Sequence, residues 1–115
     1  MYDYLFYQAE IIMFKICFYV PFEYKEAVKS AMFAAGAGKI GKYQNCSWEV
    51  EGQGQFTGMQ EAKPFINTTG EITTFREIKV EMICTEDVAQ AVKQALIDAH
   101  PYETPAYQFM QILEI

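Results

Sequence analysis

Residues 36–41 read GAGKIG. The string fits G-x-G-x-x-G, a turn that cradles a pyrophosphate only where it joins a strand to a following helix. Here the order is reversed: helical periodicity precedes the glycines and strand alternation follows them. Gly36 is then the C-terminal cap of a helix, because glycine takes the left-handed conformation without steric cost. The turn speaks for architecture before chemistry, and it fixes the frame for the segments on either side.

Upstream, MFKICFYV (13–20) alternates, with Phe14, Ile16, Phe18 and Val20 on one face and Lys15, Cys17 and Tyr19 on the other, the pattern of a half-buried strand ended by Pro21. Residues 23–35 then switch period. Tyr24, Ala27, Val28, Ala31, Met32 and Ala35 recur at three- and four-residue spacing, which predicts an amphipathic helix with Lys25, Glu26 and Lys29 on its wet side. Downstream, residues 45–56 alternate again, with Cys46, Trp48 and Val50 facing one way, and GQGQ (52–55) is expected to weaken or bend that strand. Residues 57–71 read as a polar loop. Residues 72–84 form a strand whose Ile78, Val80, Met82 and Cys84 share a face. Thr85 is placed to cap a second helix that carries Val88, Ala91, Val92, Ala95, Leu96 and Ala99 and stops at His100-Pro101. A last strand covers 106–115. Strand, helix, strand, strand, helix, strand is the α+β, ferredoxin-like βαββαβ sandwich, with two helices on one face of a four-stranded antiparallel sheet. The other face carries Trp48 and further rings. Such a patch is improbable in bare solvent, so self-association through it is expected.

The 115 residues suit one domain, with the domain proper at 13–115 and residues 1–12 as either an N-terminal extension or an upstream, non-native start ahead of Met13. A net charge of -6, with basic residues scattered singly, speaks against a nucleic-acid ligand. Cys17, Cys46 and Cys84 are odd in number and far apart, which predicts small buried hydrophobes in a reducing, cytoplasmic compartment and not disulfides. No apolar run approaches the ~20 residues that would span a membrane, and the acidic N-terminus is not that of a signal peptide.

Two strings, GAGKIGKYQNCSWEVEGQGQF (36–56) and AHPYETPAY (99–107), with KPFINTTGE (63–71) and KVEMIC (79–84) between them, resemble the inserted domain of the bacterial YqfO family and small stand-alone versions of it. The resemblance covers about residues 13–113. It implies a fold similar to the PII signalling and CutA proteins, whose subunits form trimers. Full-length YqfO-like proteins carry a two-metal site on flanking domains absent from these residues, so the resemblance brings no metal-dependent reaction with it.

Four groups of residues are candidate sites. His100 and Glu103, with Tyr102 between them, pair imidazole with carboxylate and would hold a divalent metal only with help from a neighbouring subunit, since two ligands do not close a site; the alternative is a capping histidine in a proline-bounded turn. Gly36, Gly38, Lys39 and Gly41 would offer backbone N–H groups and one charge to an anion, or would simply cap the helix. Cys46 and Trp48 read as interior packing, with a thiol ligand as the other option. The 57–71 loop would present Pro64 and Phe65 to a partner, or would staple the oligomer. The expectation is a non-enzymatic homo-oligomer that binds a small ligand or a protein partner near the glycine turn and Tyr102, with divalent-metal binding through His100 and Glu103 as the alternative.

Overall fold

The computed structural model describes residues 11–64, 70–113 and 115. Six elements follow in the expected order: β1 (Met13–Pro21), α1 (Lys25–Ala34), β2 (Trp48–Thr57), β3 (Ile72–Thr85), α2 (Glu86–Ala99) and β4 (Tyr107–Ile112). The strands form one antiparallel sheet in the order β2-β3-β1-β4. Ile16, Phe18 and Val20 of β1 and Ile78, Val80, Met82 and Cys84 of β3 turn to one face. There they meet Val28 and Met32 of α1 and Val92 and Leu96 of α2. All of these are buried, and each large apolar side chain contributes roughly 1.5–3 kcal/mol through removal from water. The ferredoxin-like sandwich is therefore as the periodicities require.

The glycine turn closes α1 by a paired bond pattern. Ala37 N–H donates to Met32 O at 3.1 Å and Gly36 N–H to Phe33 O at 3.0 Å, with Gly36 at φ 117°; these are the two bonds of a Schellman cap. Gly38 then locks the turn to the sheet. Its N–H donates to Ile83 O and its carbonyl accepts from Cys46 N–H, both at 2.8 Å. At φ 80° a side chain there is strained, and a Cβ would also lie 2.7 Å from the Phe33 ring.

Several expectations are corrected. The helix at 23–35 begins with a single 3-10 turn, Phe22–Tyr24, and is α-helical only from Lys25. Lys25 and Lys29 do not lie on its wet side. Antiparallel register puts Glu49 opposite Val80, on the helix-bearing face, and both lysines reach under α1 to it, Lys29 at 2.9 Å. Their stems cover apolar surface while their ammonium groups neutralise the carboxylate. Tyr24 and Ala27, expected inside, are exposed. Thr85 occupies the cap position of α2, but its hydroxyl donates to the Asp87 carboxylate, and Glu86 N–H donates to Ile12 O at 2.9 Å. GQGQ does not interrupt β2, which pairs with β3 without a break from Trp48 to Thr57. The 1–12 extension lies largely outside the described residues.

The face away from the helices is not uniformly apolar. Down its centre Lys15 and Lys79 bracket Glu81 at 2.9 and 3.5 Å, which holds the Glu81 carboxyl below the usual carboxylate range. Apolar groups flank that ladder: Trp48, Val50 and Met110 are 57%, 45% and 46% exposed. Trp48 is thus not interior packing within its own chain, and Cys46, just ahead of β2, is half-buried, unlike the buried Cys17 and Cys84.

Candidate functional site

β3 is longer than β1. Pro21 pairs with Glu77, and beyond that row Ile72–Arg76 has, among the described residues, only β2 beside it, so the two strands continue as an arm. The turn after α2 comes round the end of β1 and lays Tyr102 against the base of this arm on the open face. Tyr102 O–H donates to Glu77 Oε2 at 3.2 Å. Its ring meets Phe75 edge-on at 6.0 Å, and Phe75 in turn meets Phe56 at 5.9 Å. Between arm and turn lies a cleft of about 560 Å³, walled by Tyr19, Phe56, Phe75, Glu77, Tyr102 and Glu103, with Gly54 in its floor and Pro64 at its rim. That is the size of a small-molecule site.

His100 sets this wall. Only 6% exposed, it donates Nε2–H to Tyr19 O at 2.6 Å and accepts Tyr102 N–H on Nδ1 at 3.1 Å. The two bonds fix the neutral Nε2–H tautomer, and burial lowers the ring's pKa. The imidazole therefore joins β1 to the turn and aims Tyr102. Burial likewise raises Glu77, with the Tyr102 hydroxyl opposing, and raises Tyr102, helped by the Glu77 charge. Gly54 leaves room for the pair: a Cβ would fall 2.3 Å from Glu77 Oε1 and 2.6 Å from the Phe75 ring. An isolated glycine inside a strand signals this kind of close approach, and GQGQ was the signal available in the sequence. Nothing local marked Glu77 or Phe75, which read only as alternate positions of a strand.

The structure brings Tyr102 and Glu103 to one cleft and leaves the glycine turn elsewhere. Ile83, which holds Gly38, and Glu77, which holds Tyr102, are six positions apart on β3, roughly 20 Å. The N–H groups of Gly36, Ala37, Gly38 and Ile40 are all spent on internal carbonyls. Lys39 and Gly41 are exposed. A smaller hollow of about 270 Å³ borders Ile40, Cys46 and Trp48 there. For the metal reading, both His100 nitrogens are engaged, and Glu103 accepts Lys63 N–H at 3.0 Å. Among the described residues no group of three or more His, Cys, Asp or Glu is placed to hold a metal ion. The loop after β2 is closed at its base by Gly70 N–H to Gly58 O, 2.8 Å; Phe65, the other half of the expected knob, lies outside the described residues.

Against known proteins, no family model matches. Sequence relatives are clear. Over 98 residues the chain is 42% identical to the GTP cyclohydrolase 1 type 2 homolog of Bacillus subtilis, covering 85% of this chain and 26% of that protein. The protein of the same name from Mycobacterium tuberculosis is 42% identical over 95 residues, 83% and 25% of the two chains. Among solved structures, a Bacillus cereus protein related to NIF3 superposes with a TM-score of 0.78 at 30% identity, over 91% of this chain and 27% of that one. CutA from Archaeoglobus fulgidus gives 0.63 at 16% identity, over 89% and 85%, a likeness of fold alone. The relatives are of the NIF3/YqfO type, and the chain spans about a quarter of the length of those it matches. Among the described residues no helix is long and apolar enough to cross a membrane.

Proposed function

We propose that this chain is a non-catalytic binding module that assembles with copies of itself, as a trimer, through the open sheet face, and that the cleft beside Tyr102 takes a small ligand or a protein partner at the resulting seam. The observation that carries the assembly is Trp48, standing 57% exposed beside Val50 on a sheet face that neither described helix covers. An exposed apolar patch around a charge ladder suits an interface with other copies of this chain, since both signs of charge are present to pair across it. The likeness to CutA over most of both chains is one of fold, and three copies is the number that the PII and CutA resemblance of the sequence implies. The non-catalytic reading rests on the one histidine of the chain, which has both nitrogens committed to structure. Three free thiols fit the cytosol.

Sedimentation of the purified protein at micromolar concentration tests this. The wild-type chain sediments as an oligomer, and Trp48→Glu sediments as a monomer with an unchanged circular dichroism spectrum. A wild-type monomer would refute the assembly. In the same samples, added zinc or copper should leave the melting midpoint unmoved; a rise would favour the metal reading instead.

A further inference from the structure

We infer that the cleft between the β2–β3 arm and the HPYE turn is a site for a small organic cation, an ammonium or guanidinium compound held by the rings of Phe56, Phe75 and Tyr102 and by the carboxylates of Glu77 and Glu103. This rests on the ligand-binding half of the proposed function and names the ligand's chemistry.

Three independent features agree. The first is charge. The described lining of the cleft carries two carboxylates and neither a lysine nor an arginine side chain. Elsewhere on this molecule the half-buried carboxylates have cations: Glu49 has Lys25 and Lys29, and Glu81 has Lys15 and Lys79. Among the described residues Glu77 has only the Tyr102 hydroxyl. A carboxylate withdrawn from water without a counter-charge is costly, and a bound cation supplies that charge.

The second feature is the walls. Phe56 and Phe75 stand at 66° to each other, and Phe75 and Tyr102 at 87°. All three rings line the cleft, and an aromatic surface there attracts ammonium and guanidinium groups wherever a ring face is left open to it.

The third is preparation. Tyr102 is held at its backbone by His100 and at its hydroxyl by Glu77, and Gly54 keeps the floor clear. The walls are in place before a ligand arrives, which reduces the ordering cost of binding. An anionic ligand meets the wrong charge here, and a purely apolar one leaves Glu77 without a counter-charge.

The test is calorimetric titration of the intact protein with choline, agmatine and spermidine, against 3,3-dimethylbutan-1-ol, which has the shape of choline without its charge. At least one cation should bind, with choline favoured over the neutral alcohol by about tenfold or more. Glu77→Gln should erase that preference while leaving the circular dichroism spectrum and sedimentation unchanged. Tyr102→Phe, which keeps the ring, should retain most of the affinity, and Tyr102→Leu should lose it. No binding by any of the three cations, or equal affinity for choline and the alcohol, overturns the inference. So does an assembled oligomer in which a neighbour's side chain fills the cleft. Sedimentation on the same samples separates the failures: an intact oligomer without cation binding sinks this assignment alone, whereas a monomer that still binds the cations sinks the assembly alone.

Discussion

His100 sits at the end of α2, where the helix dipole would favour a cation, yet burial wins and its pKa falls below the ordinary 6.5. The sign of the consequence is definite. Just below 6.5 the unfolded chain binds a proton on this ring that the folded chain refuses, so stability is full above that value and is lost as pH falls through it. Glu77 acts oppositely. Its carboxyl is raised from 4.5 by burial, so the folded state takes up a proton before the unfolded state does, and acidification relieves a penalty present at neutral pH. Melting midpoints followed from about pH 7.5 down to about pH 4, through the ordinary ranges of both histidine and glutamate, separate the two groups. Glu77→Gln should steepen the fall, because the compensating proton uptake is gone. His100→Gln, whose amide can give and accept the same two bonds, should flatten it. Parallel curves for wild type and both variants would show that neither group is perturbed as described.

At the scale of elements, the sequence made most of the frame legible. Alternation placed Ile16, Phe18, Val20, Ile78, Val80, Met82 and Cys84 on the core face, where they all lie, because period-2 burial leaves a direct record in composition. The glycine turn was legible for the same kind of reason, since only a helix end asks for glycine at Gly36. The site was not. A cleft made by an arm, a turn and the end of β1 depends on register between distant segments. Pro21 opposite Glu77 decides where β1 stops and the arm begins, and nothing near Glu77 in the chain announces it. Helical periodicity also misjudged Lys25 and Lys29, since charged residues read as solvent-facing until Glu49 is known to stand beneath them. The turn itself offers a prediction. Gly38→Ala forces a side chain at φ 80° against the Phe33 ring and the Cys46 carbonyl, and should cost about 1–3 kcal/mol in urea denaturation. Gly54→Ala, whose collisions are with the movable ends of Glu77 and Phe75, should cost less than Gly38→Ala while perturbing the cleft. Equal losses would mean that the clasp at Gly38 has no special place in the fold.

For the whole molecule, the open face presents Trp48, the single tryptophan of the chain, so one chromophore reports on the one surface in question. In a lone subunit its indole is more than half exposed and should emit as a solvated ring. Assembly through that face removes water from it and shifts emission to the blue. Assembly must also couple to folding: if only the folded state associates, mass action raises the melting midpoint with protein concentration. The two readouts should therefore move together. Diluting the wild-type protein from high to low micromolar concentration should redden the emission and lower the midpoint in step. Val50→Lys, which keeps the fluorophore but sets a charge beside it on the same face, should give red emission and a midpoint independent of concentration. Blue emission that persists in a concentration-independent, monomeric sample would mean that Trp48 is covered from within its own chain. The sheet face would then be closed without a second copy, and assembly would lose its physical cause.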